Sequence, residues 1–293
     1  MFELIGIPPQ ALFGQLLLGL INGSFYAMLS LGLAVIFGLL NVINFTHGAQ
    51  YMMGAFAAWL GLKYLGVPYW AALVLAPIAV GLIGILLEKT LLQRLYHLDH
   101  LYGFLLTFGL ALIIEGVFRW QWGSSGQPYD NPLPGGTNLG FMFLPNYRAY
   151  VVVASLAICL ATWFAIEKTK LGAYLRAATE NPTLVRAFGI NVPRLITLTY
   201  GFGVGLAALA GVLAAPIQQV SALMGTNLIL VVYAVVVIGG MGSIMGSIVT
   251  GFLLGLVEGL TKVFYPEASN TVIFIIMAIV LMIKPAGLFG AQR

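Results

Sequence analysis

Long apolar runs without charged residues alternate with short polar segments along this chain. Residues 4–62, 64–87 and 195–257 contain no Asp, Glu, Lys or Arg. A helix needs about 20 mostly apolar residues to cross the hydrocarbon core of a bilayer, and it satisfies its own backbone hydrogen bonds there. The pattern therefore predicts about three helices in each of the two long runs and one helix in residues 64–87.

Further apolar segments add to this count. Single helices are predicted at about residues 101–122, 148–166 and 268–284. Residues 123–140 are rich in Gly, Pro, Asn and Ser, which is typical of turns that lie outside the hydrocarbon. The sequence thus predicts an all-α, polytopic membrane helix bundle of eight to ten transmembrane helices, organised as a single domain over residues 1–293.

Composition supports a membrane location for the whole chain. Hydrophobic residues make up 60% of the 293 residues and charged residues only 8%, against roughly 25% charged in a soluble domain. The net charge of +4 is small and scattered, so no nucleic-acid partner is predicted. The single cysteine, Cys159, lies in an apolar stretch, which excludes a disulfide framework and predicts a packed thiol.

Basic residues are concentrated in residues 167–194, here called the basic segment. It holds five of the thirteen Lys and Arg residues. Because basic residues in short loops stay cytoplasmic, this segment is predicted to lie inside the cell. Counting helices outward from it places the loop at residues 123–147 outside. If both long runs hold three helices, the N- and C-termini are both cytoplasmic.

Uncharged polar residues interrupt both long runs. In the first run they are Asn41, Asn44, Thr46, His47 and Gln50, and in the second they belong to the small-residue stretch 239–247, with Gly240, Gly242 and Ser243. An unsatisfied polar group in hydrocarbon costs several kcal/mol, so the first set must face protein or water. It could bond neighbouring helices together or line a translocation pathway. Broken helices at matching places, near 41–48 and 239–247, would suit an internal repeat of a transporter.

The basic segment contains the signals of a short helix. Thr179 or Asn181 can cap its start, Pro182 suits its first turn, and Gly189 can end it. Its apolar residues are Leu184, Val185 and Phe188. A solvated loop needs neither a cap nor an apolar face, so this pattern favours a docking element for a cytoplasmic partner.

Charged pairs inside the predicted helices are expected to be structural. Glu115 and Arg119 are four residues apart, as are Glu258 and Lys262, so each pair can form on one helix face. No HExxH, CxxC or GxSxG motif is present. His47 with a serine from another helix could in principle form an intramembrane catalytic dyad, but no other feature of the sequence supports one. No enzyme activity is therefore predicted.

Four blocks of the sequence resemble a known family. Residues 32–55, 171–216, 235–259 and 283–290 are similar to the permease subunits of branched-chain amino acid ABC importers, particularly the shorter, LivH-type permease. The resemblance runs from about residue 11 to 290. Urea, amide and polar amino acid importers share these blocks, so the family is better defined than the cargo.

The resemblance implies a type II ABC importer-like permease fold in the bacterial inner membrane. It implies a second homologous permease, a periplasmic binding protein, and two cytoplasmic ATPases that use ATP and Mg, with no cofactor in this chain. Asn41, Asn44, Thr46, His47, Gln50, Gly240, Gly242 and Ser243 are the expected pathway residues. Arg176, Glu180, Asn181, Arg186, Gly189 and Ile190 match the family's ATPase-coupling region. An ATP-independent channel or secondary transporter is the alternative from another class.

Overall fold

The computed structural model describes residues 8–40 and 44–290, which form eleven α-helices and one β-hairpin. The first half contains α1 (Pro9–Leu40), α2 (Thr46–Leu65), α3 (Tyr69–Thr90), α4 (His100–Trp122), β1 (Gly136–Asn138), β2 (Phe143–Pro145) and α5 (Asn146–Glu167). The second half contains α6 (Lys170–Glu180), α7 (Pro182–Ala187), α8 (Val192–Gln218), α9 (Met224–Gly239), α10 (Ile244–Phe264) and α11 (Val272–Ile283). Single 3₁₀ turns lie at Leu92–Leu95 and Pro266–Ala268.

Six of these helices are long and apolar enough to cross a membrane. They are α1, α3, α4, α5, α8 and α10, while α9 and α11 are apolar but shorter, with 16 and 12 residues. Leaving out α6 and α7 of the basic segment, nine of the eleven described helices lie in the apolar part of the sequence, within the predicted eight to ten. The predicted all-α membrane helix bundle is confirmed.

The first long run holds two helices among the described residues, so the prediction of three helices there is wrong. α1 continues without interruption for 32 residues because no proline follows its first turn and no polar group ends it. It is about 48 Å long at 1.5 Å per residue. The cytoplasmic N-terminus was predicted only on the condition that both long runs hold three helices. The prediction of a cytoplasmic N-terminus therefore loses its basis. The second long run holds α8, α9 and α10, as predicted.

Contacts between helices divide the described chain into two compact units. The first is formed from the described residues of Met1–Ser30, Asn131–Cys159 and Val231–Arg293. The second is formed from those of Leu31–Asp130 and Leu160–Leu230. The long helices α1, α5 and α9 contribute to both units, and each unit has its own packing.

In the first unit, α1 and α10 pack backbone against backbone. Gly251, Gly255 and Gly259 recur at every fourth position of α10, and a Cβ added at Gly255 would clash with the backbone of Gly19 and Gly23. Small residues at this spacing allow membrane helices to approach closely, where van der Waals contact replaces the missing hydrophobic drive. Glycine therefore fixes the spacing of this helix pair.

In the second unit, α2 and α4 run in the same direction. The ring of Phe45, just before α2, contacts Phe104 and Phe108, and the ring of Phe56 contacts Phe118 and Trp122. The start of α2 therefore lies level with residues 104–108, which are about 6–12 Å along α4 at 1.5 Å per residue. This position places the start of α2 inside the apolar layer.

α3 and α8 run antiparallel in the same unit. A Cβ at Gly81 would meet the Gly201 carbonyl oxygen at 3.1 Å, and Thr197 near the start of α8 contacts Glu88 near the end of α3. The end of α3 and the start of α8 are thus held together next to the basic segment.

Candidate functional site

The polar residues at the start of α2 are fully buried. Asn44, Thr46, His47 and Gln50, here called the α2 polar cluster, are each at most 1% exposed. Asn41, predicted with them, lies outside the described residues. Polar groups buried at this depth are stable only when hydrogen bonds replace their contacts with water.

Hydrogen bonds within the cluster hold the first turn of α2. Asn44 Oδ1 accepts the Thr46 backbone N–H at 3.1 Å and also the Thr46 hydroxyl. Gln50 Nε2 donates to Thr46 Oγ1 at 3.2 Å, and Asn44 Nδ2 donates to Gln50 Oε1 at 3.4 Å. The Asn44 side chain thus supplies a hydrogen-bond acceptor for a backbone N–H that has no helical partner at the start of α2. The polar residues allow a helix to begin inside the apolar layer.

The cluster also connects α2 to two neighbouring helices. Gln50 Nε2 donates to the Tyr200 hydroxyl of α8 at 3.4 Å, and the Phe45 N–H donates to Thr107 Oγ1 of α4 at 3.2 Å. A Cβ added at Gly32 would stand 3.0 Å from the His47 ring, so α1 also packs tightly here. These contacts have the form of interhelical polar bonding, and the residues are closed to water in this conformation.

The second predicted break is a turn between α9 and α10. Gly240 and Gly242 adopt φ angles of 101° and 85°, in the left-handed region that favours glycine. Ser243 caps α10, because its Oγ accepts the Gly246 N–H at 3.1 Å. The predicted helix break is therefore present, and its glycines are needed for the turn.

The C-terminal segment packs onto this turn. Leu288 N–H donates to the Ile238 carbonyl at 2.8 Å, and Phe289 N–H donates to the Gly239 carbonyl at 3.1 Å. The segment thus satisfies two of the carbonyl groups that the end of α9 leaves without helical partners. Gly240, Gly242 and Ser243 lie in the first unit and the α2 polar cluster in the second.

The short helix predicted in the basic segment is confirmed as α7. Asn181 caps it, because its Oδ1 accepts the Leu184 N–H at 3.0 Å, and Pro182 is its first residue. Gly189 ends it with a φ of 82°. Of the two capping residues considered, Asn181 is the one used.

α7 presents an apolar pair to solvent. Leu184 is 54% exposed and Phe188, four residues later, is 77% exposed, whereas Val185 is buried. Residues four apart lie on the same helix face. Glu180 and Arg186 are exposed beside this pair, and Ile190 is half-buried. The capped helix and the residue directly after it therefore display Leu184 and Phe188 together.

Arg176 has a different environment from the other predicted coupling residues. Its Nη1 donates to the Ile166 carbonyl at 3.2 Å and contacts Glu167 Oε2 at 3.3 Å. Both partners lie at the end of α5, and the backbone of Gly172 packs closely against Ile166. Arg176 thus holds α6 against α5.

The two predicted intrahelical ion pairs are confirmed. Glu115 pairs with Arg119, and Glu258 pairs with Lys262. Each carboxylate also has a partner on another helix: the Thr226 hydroxyl donates to Glu115, and the Tyr26 hydroxyl donates to Glu258 Oε2 at 2.6 Å. The pairs join helices as well as neutralising charge.

Glu88 is a buried carboxylate that the sequence did not single out. Its oxygens accept hydrogen bonds from the Tyr96 hydroxyl at 2.8 Å, the Thr197 hydroxyl at 2.8 Å and Gln93 Nε2 at 3.2 Å. Burial, and then the charge of Glu88, raises the pKa of the Tyr96 hydroxyl above its ordinary value of 10.0, so it stays a donor. The sequence did not indicate this role because Glu88 directly precedes Lys89 at the end of an apolar run, a pattern typical of a solvated helix end. Its partner Thr197 is also distant in sequence.

Candidate metal ligands and the thiol complete the survey of reactive groups. Within residues 8–40 and 44–290, no group of three or more His, Cys, Asp or Glu side chains is placed to hold a metal ion. Cys159 is fully buried in α5, which confirms the prediction of a packed thiol.

The sequence has relatives among transport permeases over nearly its full length. LivH of Escherichia coli (strain K12), a high-affinity branched-chain amino acid transport system permease protein, is 26% identical and covers 94% of each chain. The probable branched-chain amino acid transport permease protein LivH of Methanocaldococcus jannaschii is 28% identical, over 93% of this chain and 91% of that protein. LivM of Escherichia coli (strain K12), also a high-affinity branched-chain amino acid transport system permease protein, is 25% identical, over 92% of this chain and 68% of its own length.

The family profile described as "Branched-chain amino acid transport system / permease component" matches residues 15–281. This match includes the α2 polar cluster, the basic segment and both breaks. Because the profile covers most of the chain, the chain belongs to the family of branched-chain amino acid transport permease components.

Proposed function

We propose that this chain is the membrane subunit of an ATP-driven importer in the bacterial inner membrane. It forms, with a second homologous permease, a pathway for branched-chain or related amino acids that opens alternately to the two sides. A periplasmic binding protein delivers the cargo, and two cytoplasmic ATPase subunits hydrolyse ATP with Mg. The chain itself is not an enzyme and needs no cofactor.

The exposed face of α7 is the observation that carries this proposal. Leu184 and Phe188 project from the segment that Asn181 caps, between α6 and the long apolar helix α8. Burying the exposed part of these two side chains in a partner would stabilise a complex by about 2–4 kcal/mol before the costs of association. The proposed partner is the ATPase, and Glu180, Arg186, Gly189 and Ile190 lie around this contact. Arg176 would act indirectly, by holding α6 in place.

The α2 polar cluster is the proposed substrate pathway in its closed state. Its members are uncharged, so they would bind a zwitterionic cargo only weakly and leave selection to the binding protein. Asn41 is expected to join them when the pathway opens. Gly240, Gly242 and Ser243 would contribute a flexible turn, because glycine tolerates the backbone changes that a hinge requires.

The proposed permease pair is supported by the similarity of this chain to both LivH and LivM. Two permeases of one family in one importer would each contribute half of the pathway. Branched-chain amino acids are the first choice of cargo because the relatives carry that name. Urea, short amides and other small zwitterions are the alternative cargo within the same kind of importer.

The charges of the described helices give little support to an ion-coupled carrier. Glu115 and Glu258 are each paired with a cation on their own helix. Glu88 lies two residues from the end of α3 and not at the middle of the apolar layer. A carrier driven by an ion gradient would be expected to use an available carboxylate near mid-membrane.

Reconstitution tests the proposal directly. Proteoliposomes containing this chain, the second permease, the ATPases and the binding protein should take up radiolabelled leucine only with ATP, and competing urea should leave uptake unchanged. Full uptake without the ATPases would refute the importer. Uptake of radiolabelled urea, with no uptake of leucine, would instead identify the alternative cargo.

Two substitutions test the docking helix. Phe188→Asp and Arg186→Glu should reduce ATP-driven uptake by at least tenfold while binding-protein affinity is unchanged. Leu98→Asp is the matched control, since Leu98 is similarly exposed in the turn between α3 and α4. Equal uptake by the Phe188 and Leu98 variants would remove α7 from the ATPase contact.

A further inference from the structure

An apolar groove runs along α8 on the second unit. One cavity of about 310 Å³ lies between α3 and α8 and is lined by Ile78, Leu82, Ile85, Leu198, Phe202 and Leu209. A second cavity of about 330 Å³ lies against α6, with Ile166, Leu171, Leu175 and Leu195 in its walls. Leu198 and Phe202 line both cavities, so the two adjoin along α8, and together they are here called the groove.

The groove has the length of a lipid acyl chain. Leu195 and Leu209, at its two ends, are fourteen residues apart on α8, or about 21 Å at 1.5 Å per residue. One leaflet of the hydrocarbon core is about 15 Å thick. The groove is therefore long enough to hold an acyl chain across the full thickness of one leaflet.

Three cations lie within two residues of groove-lining positions at the helix termini. Lys168 and Lys170 lie between Ile166 and Leu171, and Arg194 directly precedes Leu195. All three side chains are exposed, and none of them forms an ion pair within the described residues. Lys168 Nζ lies 5.6 Å from the centroid of the Trp163 ring, which places its charge beside the end of α5.

The nearby carboxylate does not neutralise these cations. Glu167 is paired with Arg176, which also donates to the Ile166 carbonyl. The other acidic residue of this region, Glu180, lies at the far end of α6, ten residues from Lys170. A net positive charge thus borders the opening of an apolar slot at the boundary between hydrocarbon and water.

We propose that this groove binds one anionic phospholipid, such as phosphatidylglycerol, with an acyl chain along α8 and its phosphate among Lys168, Lys170 and Arg194. A helix of a partner protein fits these observations less well, because a helix is about 10 Å wide and would leave the three cations without a counter-charge. A basic residue near a membrane surface favours an anionic lipid by about fivefold. Three of them should therefore give a preference of at least tenfold over a zwitterionic lipid.

Native mass spectrometry of the full chain in detergent tests the lipid site. The wild type is titrated with phosphatidylglycerol or phosphatidylcholine. It should retain one phosphatidylglycerol at a concentration tenfold lower than the concentration at which it retains phosphatidylcholine. Replacing Lys168, Lys170 and Arg194 with Gln should abolish that preference. The control replaces Lys63, Arg94 and Arg148, three cations distant in sequence from every groove-lining residue, with Gln and should keep it. Equal binding of both lipids by the wild type, or equal loss in both variants, would overturn the proposal.

A second pair of variants tests the acyl chain without altering charge. A Cβ added at Gly205 meets only the Pro77 carbonyl oxygen, at 3.5 Å, so Gly205→Phe can fill the groove without a backbone clash. Gly116→Phe on α4 is the control, because nothing lies within 4 Å of a Cβ there. Gly205→Phe should lose the retained lipid, and Gly116→Phe should keep it. Retention of the lipid by Gly205→Phe would exclude the acyl-chain site. A second permease found bound in place of the lipid would also exclude it.

Discussion

The buried carboxylate of Glu88 leads to a prediction for Tyr96. Glu88 joins the end of α3, the 3₁₀ turn after it and the start of α8, because its three donors come from those elements. The structure contains no cation bonded to Glu88 among the described residues. Its charge therefore depends on three neutral donors, and removal of one donor should cost more than an ordinary hydrogen bond.

The expected magnitude follows from these contacts. A hydrogen bond to a charged group contributes about 1.5–3 kcal/mol, so Tyr96→Phe should lower the free energy of unfolding by that amount. Thr197→Val should cost about the same. Because Tyr96 and Thr197 bond the same carboxylate, the double variant should fall short of additivity by about 0.5–3 kcal/mol.

The assay is unfolding of the purified protein in detergent, by SDS titration and by heat. Tyr102→Phe is the control, because Tyr102 is an exposed tyrosine in the first turn of α4. Since the pKa of the Tyr96 hydroxyl is raised above 10.0, its contribution should be complete below pH 10 and lost only at higher pH. Identical unfolding of the Tyr96 and Tyr102 variants, or strict additivity with Thr197→Val, would refute this reasoning.

Three further predictions concern helix packing, capping and the thiol. Gly255→Leu should lower stability by at least about 2 kcal/mol, because the backbone of α1 occupies the space, whereas Gly14→Leu should leave thermal unfolding unchanged. Asn181→Ala should cost about 1 kcal/mol in α7 and speed hydrogen exchange of the Leu184 amide about fivefold; unchanged exchange would contradict the cap. Cys159, fully buried in α5, should react with a maleimide only after denaturation in SDS, and labelling of the folded protein would contradict its burial.

The sequence predicted helix breaks better than it predicted helix number. The breaks at the start of α2 and after α9 carry residues whose chemistry requires special geometry: Asn44 as a cap, and Gly240 for a positive φ. Helix number in the first run was overestimated because an apolar run contains no signal for its own division. α1 continues for 32 residues without interruption.

Two elements outside the hydrocarbon were missed for different reasons. The hairpin of β1 and β2 has strands of only three residues, too short for an alternating pattern to be recognised. α6 could have been found, because Leu171, Tyr174 and Leu175 recur at helical spacing. Its basic residues fit a cytoplasmic loop as well as a helix, so the prediction for α6 concerned membrane orientation and not its apolar face.

The candidate site was predictable in residue type but not in arrangement. Uncharged polar residues in hydrocarbon indicated that Asn44, Thr46, His47 and Gln50 act as a group. Their partner Tyr200 is 150 residues away from Gln50, and the same separation problem conceals the contact of Glu88 with Thr197. Long-range polar partners leave no local pattern, because each residue by itself fits its helix equally well.

The arrangement of the second unit links the proposed ATPase contact to the proposed pathway. α8 begins at Val192, just after α7, and Tyr200 lies about 12 Å further along the same helix. The Tyr200 hydroxyl is held by Gln50 at 3.4 Å, a long and therefore weak hydrogen bond. A displacement of α7 that moves the start of α8 would separate these two groups before it breaks the shorter bond of Asn44 to the Thr46 N–H. Gln50 would then be the first member of the cluster with free hydrogen-bonding capacity, which is the property that a weak, uncharged cargo site requires.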